Sequence, residues 1–271
     1  MAGLLERYGP WALIAGASEG TGAEFARQLA EAGLNLILVA RREGPLDALA
    51  AEIAERHGVR CVTATIDLAR KHAVTRMAEV AAGFDVGHMV FNAGADPNGS
   101  TFLDQDVEAW AELTTRNTMT VMRACHHFGR LMRDRQRGGL LICGSGVCYG
   151  GLPGISVYGA TKAYDLVLLE GLWAELKPHN VDVLYLVMGR TDTPAHRKLL
   201  AERGMPVSGD MASAADVARL GLERLPHGPI QNWGLADDEA GYAGSSAAAR
   251  RERILKIAAA SDYAKRSSKD D

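Results

Sequence analysis

The chain has 271 residues, 47% hydrophobic and 23% charged, with a formal net charge of -3. This is apolar material for a sizeable core, and the charge balance argues against nucleic acid or an anionic membrane as partner. No apolar run approaches the ~20 residues of a membrane span, so the expectation is a soluble, cytoplasmic protein.

Short apolar runs alternate with longer helical periods. The runs predicted as strands are 11–16, 35–40, 59–66, 86–91, 139–144, 181–187 and 229–233. They are nearly continuous in apolar residues, as expected of strands buried on both faces of a parallel sheet. Helices are predicted at 20–33, 44–57, 70–82, 106–135, 155–178 and 213–225. The βαβα order predicts one α/β domain, a Rossmann-like doubly wound parallel sheet of about seven strands with helices on both faces. It spans 1–235, with a substrate loop or short helical lid at 188–212. The stretch 236–271 is Ala- and charge-rich, and its last residues are expected to be disordered.

The first strand runs into Ala-Gly-Ala-Ser-Glu-Gly-Thr-Gly (15–22). Gly16, Gly20 and Gly22 allow a tight turn and a close backbone approach to a pyrophosphate at the next helix's N-terminus, with Ser18 and Thr21 in the same loop. The second strand ends in Val-Ala-Arg-Arg (39–42). An acid here would read a ribose 2′-hydroxyl; Arg41 and Arg42 suit a 2′-phosphate instead. Glu19 would repel that phosphate unless it faces solvent or pairs with an arginine.

The third strand leads to Ile-Asp-Leu (66–68) and the fourth to Phe-Asn-Ala-Gly (91–94). Asp67 and Leu68 stand where an adenine would lie. Asn92, with Ala93 and Gly94, either ties strand ends together or lines the cofactor groove. Strand carboxyl ends are where ligands bind such sheets.

Tyr158 and Lys162 lie four residues apart on one predicted helix, with Ser145 thirteen residues before Tyr158. Residues at that spacing share a helix face. A cation beside a phenol favours the phenolate, which makes a tyrosine useful as a general acid or base near neutral pH.

Together these motifs resemble the short-chain dehydrogenase/reductase family over residues 10–230. The resemblance implies Tyr158 as general acid/base, Lys162 as its electrostatic partner and nicotinamide-ribose ligand, and Ser145 as the group holding the substrate oxygen. Asn117, in Thr-Thr-Arg-Asn-Thr (114–118), is implied as the fourth member, positioning a water in a proton relay. Gly189, Thr191 and Thr193, in Met-Gly-Arg-Thr-Asp-Thr-Pro (188–194), are implied to face the nicotinamide. Departures from the family pattern are Ala15, Thr21, Phe91 and Met188, where Thr, Ile, Asn and Pro are usual. Residues 7–14 and 34–42 are similar to the branch of bacterial hydroxysteroid dehydrogenases (7β and 17β types) and long-chain 3-ketoacyl reductases. The resemblance implies NADP(H), a bulky apolar alcohol or ketone, and a homodimer or homotetramer, with Trp173 and the 155–178 helix as a candidate subunit interface.

Two other readings stay open. A 3-ketoacyl thioester reductase would want a basic entrance for a phosphopantetheine phosphate, which Arg197, Lys198 and Arg203 offer unless they are only the wet face of a helix. A non-catalytic dinucleotide-binding regulator would normally lack the tyrosine or the lysine. Tyr149, Leu152 and Pro153 are the preferred pocket wall; Met188, Met205 and Met211 line it or fill core. Cys61, Cys125, Cys143 and Cys148 form no CxxC pair and are expected as reduced thiols, and His126–His127 lacks a third ligand, so no metal is expected.

Overall fold

The structure is a computed structural model and describes residues 3–202 and 204–236. Arg203 and residues 237–271, nearly all of the expected tail, lie outside them.

A five-residue helix, α1 (Leu4–Tyr8), precedes β1 (Trp11–Ala15). There follow α2 (Gly20–Glu31), β2 (Asn35–Ala40), α3 (Glu43–His57), β3 (Cys61–Thr65), α4 (Ala73–Ala81) and β4 (Val86–Phe91). The second half comprises α5 (Val107–Thr114), α6 (Thr120–Asp134), β5 (Gly138–Ser145), α7 (Ser156–Leu176) and β6 (Val181–Met188). Last come β7 (Thr191–Asp192), α8 (Pro194–Glu202), β8 (Ala212–Ser213), α9 (Ala214–Arg224) and β9 (Ile230–Asn232).

The main sheet has seven strands in the order β3-β2-β1-β4-β5-β6-β9, every pairing parallel. Strand order reverses between β1 and β4, which opens a crevice at their carboxyl ends. Side chains alternate between two buried layers. Leu13, Ile37, Met89 and Ile142 pack with Met77 of α4, Phe128 of α6 and Leu169 of α7. Ile14, Leu38, Val90 and Leu141 pack with Phe25 of α2, Leu46 of α3 and Leu222 of α9. Each such side chain stabilises the fold by roughly 1.5–3 kcal/mol through removal from water. Burial on both faces explains the absence of polar alternation in these strands.

One expectation needs correcting, and two features go beyond the expectations. The helix predicted over 106–135 is broken: residues Thr115–Met119 form a π-helical turn between α5 and α6. The stretch 188–212 contains the helix α8 and also a two-stranded parallel ladder, Thr191 opposite Ala212 and Asp192 opposite Ser213. The helix α1 lies outside the predicted elements: its one buried pair, Leu4 and Tyr8 at i and i+4, is a single turn and too short to establish a period.

Candidate active site

The crevice begins at the glycine turn. Gly16 lies in the left-handed region at φ 86°, and a Cβ there would meet the Ala93 backbone nitrogen at 2.7 Å. A Cβ on Gly22 would meet the Gly16 carbonyl oxygen at 1.9 Å. The amide N–H groups of Asn92 and Ala93 both donate to the Ala15 carbonyl, and Asn92 Nδ2 donates to the Gly16 carbonyl at 3.1 Å. Asn92 therefore ties two strand ends. The N-terminus of α2 has no side-chain cap, so its first amides are available to an anion. A backbone this tight, with uncapped amides, fits a dinucleotide pyrophosphate.

At the outer end of the crevice, Arg42 forms an ion pair with Glu19 at 2.8 Å, which cancels the acid that stood against a phosphate. Arg41 is exposed and has no carboxylate partner among the described residues. Burial, with the charge of nearby Arg41, pulls the Arg116 guanidinium below its usual value. Asp67 caps its own turn, accepting from the Ala69 amide at 3.0 Å and from Arg70 Nε at 3.1 Å. Leu68 is buried, and its carbonyl accepts from Thr120 Oγ1 at 2.8 Å.

Lys162 lies under the crevice floor. Its residue is 3% exposed, and Nζ donates to the Cys143 carbonyl at 2.9 Å. Nζ is 5.9 Å from the Tyr158 ring centroid. A Cβ on Gly94 would meet Nζ at 2.9 Å and Asn117 Oδ1 at 3.4 Å, so the glycine admits both. Asn117 is fully buried in the π turn. Its Nδ2 donates to the Gly94 carbonyl and to Thr161 Oγ1, each at 3.2 Å. Thr161 Oγ1 donates in turn to the Tyr158 carbonyl at 2.8 Å. The π turn is what aims Asn117 at α7, since the widened turn rotates the chain out of α register. Ser145 ends β5 opposite Met188 of β6 and opens the 3-10 turn Gly146–Tyr149, which leads into α7. All four predicted residues thus stand at the carboxyl ends of β4 and β5.

Some contributors had no motif. Arg116 Nε donates to Asn117 Oδ1 at 3.3 Å, and its Nη2 to the Ala95 carbonyl at 2.7 Å. The Tyr185 hydroxyl donates to the Lys162 carbonyl at 2.8 Å. Asp165 is fully buried one turn after Lys162. The Tyr149 hydroxyl donates to Asn232 Oδ1 at 2.9 Å, tying the predicted pocket wall to the last strand.

Over the crevice, a Cβ on Gly20 would meet Thr193 Cγ2 at 2.9 Å, and one on Gly189 would meet Trp233 at 3.3 Å. Thr191 is buried in the small ladder. Met188 packs on the core beside Trp233, while Met205 and Met211 are half-buried. Arg197 makes a two-point ion pair with Asp192 at 2.5 and 2.6 Å, and Lys198 lies 3.7 Å from Glu202. A separate cavity of about 760 Å³ opens at the amino end of the sheet beside Tyr8, Arg137 and Leu222; no candidate site residue reaches it. Among the described residues no cluster is suited to a metal and no helix is long and apolar enough to cross a membrane.

Residues 10–204 match the family described as short chain dehydrogenase. A 7beta-hydroxysteroid dehydrogenase of Clostridium sardiniense is 32% identical over 220 residues, covering 81% of this chain and 84% of that one. A very-long-chain 3-oxoacyl-CoA reductase of Podospora anserina is 32% identical over 183 residues, 66% of this chain but 54% of that longer one. The solved short-chain dehydrogenase from Sphingobium yanoikuyae, in complex with NADPH, superposes with a TM-score of 0.76 at 28% identity, covering 93% of this chain and 94% of that one. With this sheet order, this glycine turn and this match, the chain belongs to the short chain dehydrogenase family of nicotinamide-dependent oxidoreductases.

Proposed function

We propose that the protein is an NADP(H)-dependent oxidoreductase that interconverts a secondary alcohol and a ketone on a bulky apolar, hydroxysteroid-like substrate. The observation that carries this reading is the buried ammonium of Lys162, held by the Cys143 carbonyl 5.9 Å from the Tyr158 ring centroid and beside Gly94, whose carbonyl accepts from Asn117. A phenol next to a desolvated cation is suited to proton transfer near neutral pH. A bound nicotinamide supplies or accepts the hydride. In the reductive direction Tyr158 gives its hydroxyl proton to the carbonyl oxygen. Ser145 donates a hydrogen bond to the same oxygen and so stabilises the charge developing there. Lys162 stabilises the phenolate left behind, and the polar groups around Asn117 form the path by which the proton is replaced.

The phosphate-bearing cofactor is favoured by Arg41, which has no carboxylate partner among the described residues, and by Arg42, whose pairing offsets the repulsion of Glu19. Gly16, Gly20, Gly22, Asn92 and Gly94 would form the cradle. The hydroxysteroid reading rests on the Clostridium relative and on its coverage of most of both chains. The 3-ketoacyl thioester reading is weaker, because Arg197 and Lys198 already have carboxylate partners in the lid; Arg203 lies outside the described residues. A regulator without activity has no use for a lysine buried at this cost.

The test is Tyr158→Phe, assayed on a panel of steroid and bile-acid alcohols and 3-ketoacyl thioesters with NADP and NADPH. A loss of about a thousandfold or more in kcat is expected, with the Kd for NADPH changed less than about threefold. Unaltered turnover in the variant sinks the proposal. Turnover confined to the thioesters replaces the substrate class.

A further inference from the structure

Asp165 presents a problem that the mechanism above does not solve. It sits three residues after Lys162 on α7, its side chain is 0% exposed, and Oδ2 lies 3.8 Å from Lys162 Nζ. That is too far for a hydrogen bond, and neither carboxylate oxygen has a hydrogen-bond partner among the described residues. The surroundings offer little help. The titratable groups facing it are Lys162 on its own helix, Cys125 on α6 and Tyr185 on β6, with Tyr158 beyond Lys162. The Tyr185 proton is already given to the Lys162 carbonyl. The Cys125 thiol is held protonated, its titration pushed up by burial and by Asp165. Leu166 and Leu169 line the same layer, and an apolar side chain at position 165 would be cheaper to bury. Buried, under-satisfied ionisable groups concentrate where charge is used.

We infer that Asp165 is a positioning residue of the reaction, a carboxyl group behind Lys162 whose charge sets how much positive potential Lys162 presents to Tyr158. This rests on the proposed Tyr158 chemistry and extends it. Ionised, Asp165 offsets part of the ammonium charge. Protonated, it leaves the full charge acting on the phenol. Burial raises its titration to about 7 against the opposing pull of Lys162, so the group changes state within the working range. No bond is made or broken by Asp165. It acts through space on the lysine, and the proton it gains or loses exchanges with solvent.

The experiment is the pH dependence of kcat/KM for alcohol oxidation with NADP, between pH 5 and 10, in the full-length enzyme and in Asp165→Asn and Asp165→Leu. Both substitutions remove the negative charge, one keeping the shape and the other supplying an apolar group. Lys162 then favours the phenolate more strongly, and the acid limb of the profile moves to lower pH by on the order of one unit in both variants. KM for NADP changes less than about threefold, because the ribose contact of Lys162 is retained. An acid limb at the wild-type position in the variants overturns the inference. So does a limb displaced in Asp165→Leu but not in Asp165→Asn, which would mark a packing role. The Tyr158→Phe enzyme is run beside them. Activity surviving there overturns this inference and the proposed function together. Tyrosine-dependent activity with an unmoved limb overturns the role of Asp165 alone.

Discussion

Arg41 and Arg42 stand next to each other in the chain yet do different work. Arg42 is half committed to Glu19, whereas Arg41 has no acid to hold it among the described residues and adds its charge to the neighbourhood of Arg116. A 2′-phosphate would therefore be read mainly by Arg41, with its planar pair of donors. Arg41→Ser is expected to raise KM for NADPH by about tenfold or more while leaving KM for NADH within about twofold. Arg42→Ser removes a guanidinium already half committed to Glu19 but also frees that acid against the phosphate, so it too should raise KM for NADPH more than KM for NADH. Steady-state kinetics with both cofactors decides it, and equal effects on NADPH and NADH would make the arginines solvated surface charges. At this level the sequence was readable where position follows from residue type and spacing: the glycines fall on the turn into α2, and Tyr158 and Lys162 on α7 beyond the Ser145 end of β5. It was not readable where a role depends on which neighbour a side chain reaches. Arg116 looks like any helical arginine until its Nε is found on Asn117 Oδ1. Asp165 looks like any i,i+3 partner of a lysine until both its oxygens prove orphaned.

The turn between β1 and α2 is the most tightly constrained piece of backbone in the crevice. Gly22→Ala would drive a methyl into the Gly16 carbonyl, and the conflict is with backbone, not with a side chain that can swing away. The turn must open, and the first amides of α2 then leave their aim. The expected result is a loss of about tenfold or more in NADPH affinity, measured by fluorescence titration, with Tm lowered by several degrees. Affinity unchanged in the variant would mean the cofactor does not use this turn. Among the elements, strands were predicted to within two or three residues because apolar runs buried on both faces end abruptly at polar turns. The segment 106–135 reads as one helix because a single π turn shifts the helical phase once and leaves the 3.6-residue period unchanged on either side of it. The Thr191–Asp192 and Ala212–Ser213 ladder was invisible because two-residue strands carry no period.

Across the molecule, buried charge sets how stability follows pH. His88 of β4 is fully buried, faces the Gly139 carbonyl through Nδ1 at 2.9 Å, and stacks on Tyr8. Burial lowers its titration from 6.5 to about 4. Between those values the unfolded chain binds the proton and the folded protein does not, so stability rises with pH there. The contribution is complete above about pH 6.5 and is lost as pH falls through about 4; over that window it amounts to about 3 kcal/mol. Asp165 runs the other way, because the folded protein keeps its proton to about pH 7 while an unfolded carboxyl has lost it. His88→Gln should therefore lose about 2–3 kcal/mol less stability than the wild type between pH 7 and 4.5, read by urea denaturation at each pH. Parallel curves for the two proteins would show that His88 is not the group responsible.

The contact between Thr193 and Gly20 has a further consequence. The residue just before α8 rests on the very turn where a pyrophosphate would lie, so two compartments share one wall. A change of side-chain size at either position, a methyl added to Gly20 or a bulkier group at 193, is therefore felt on both sides of that wall.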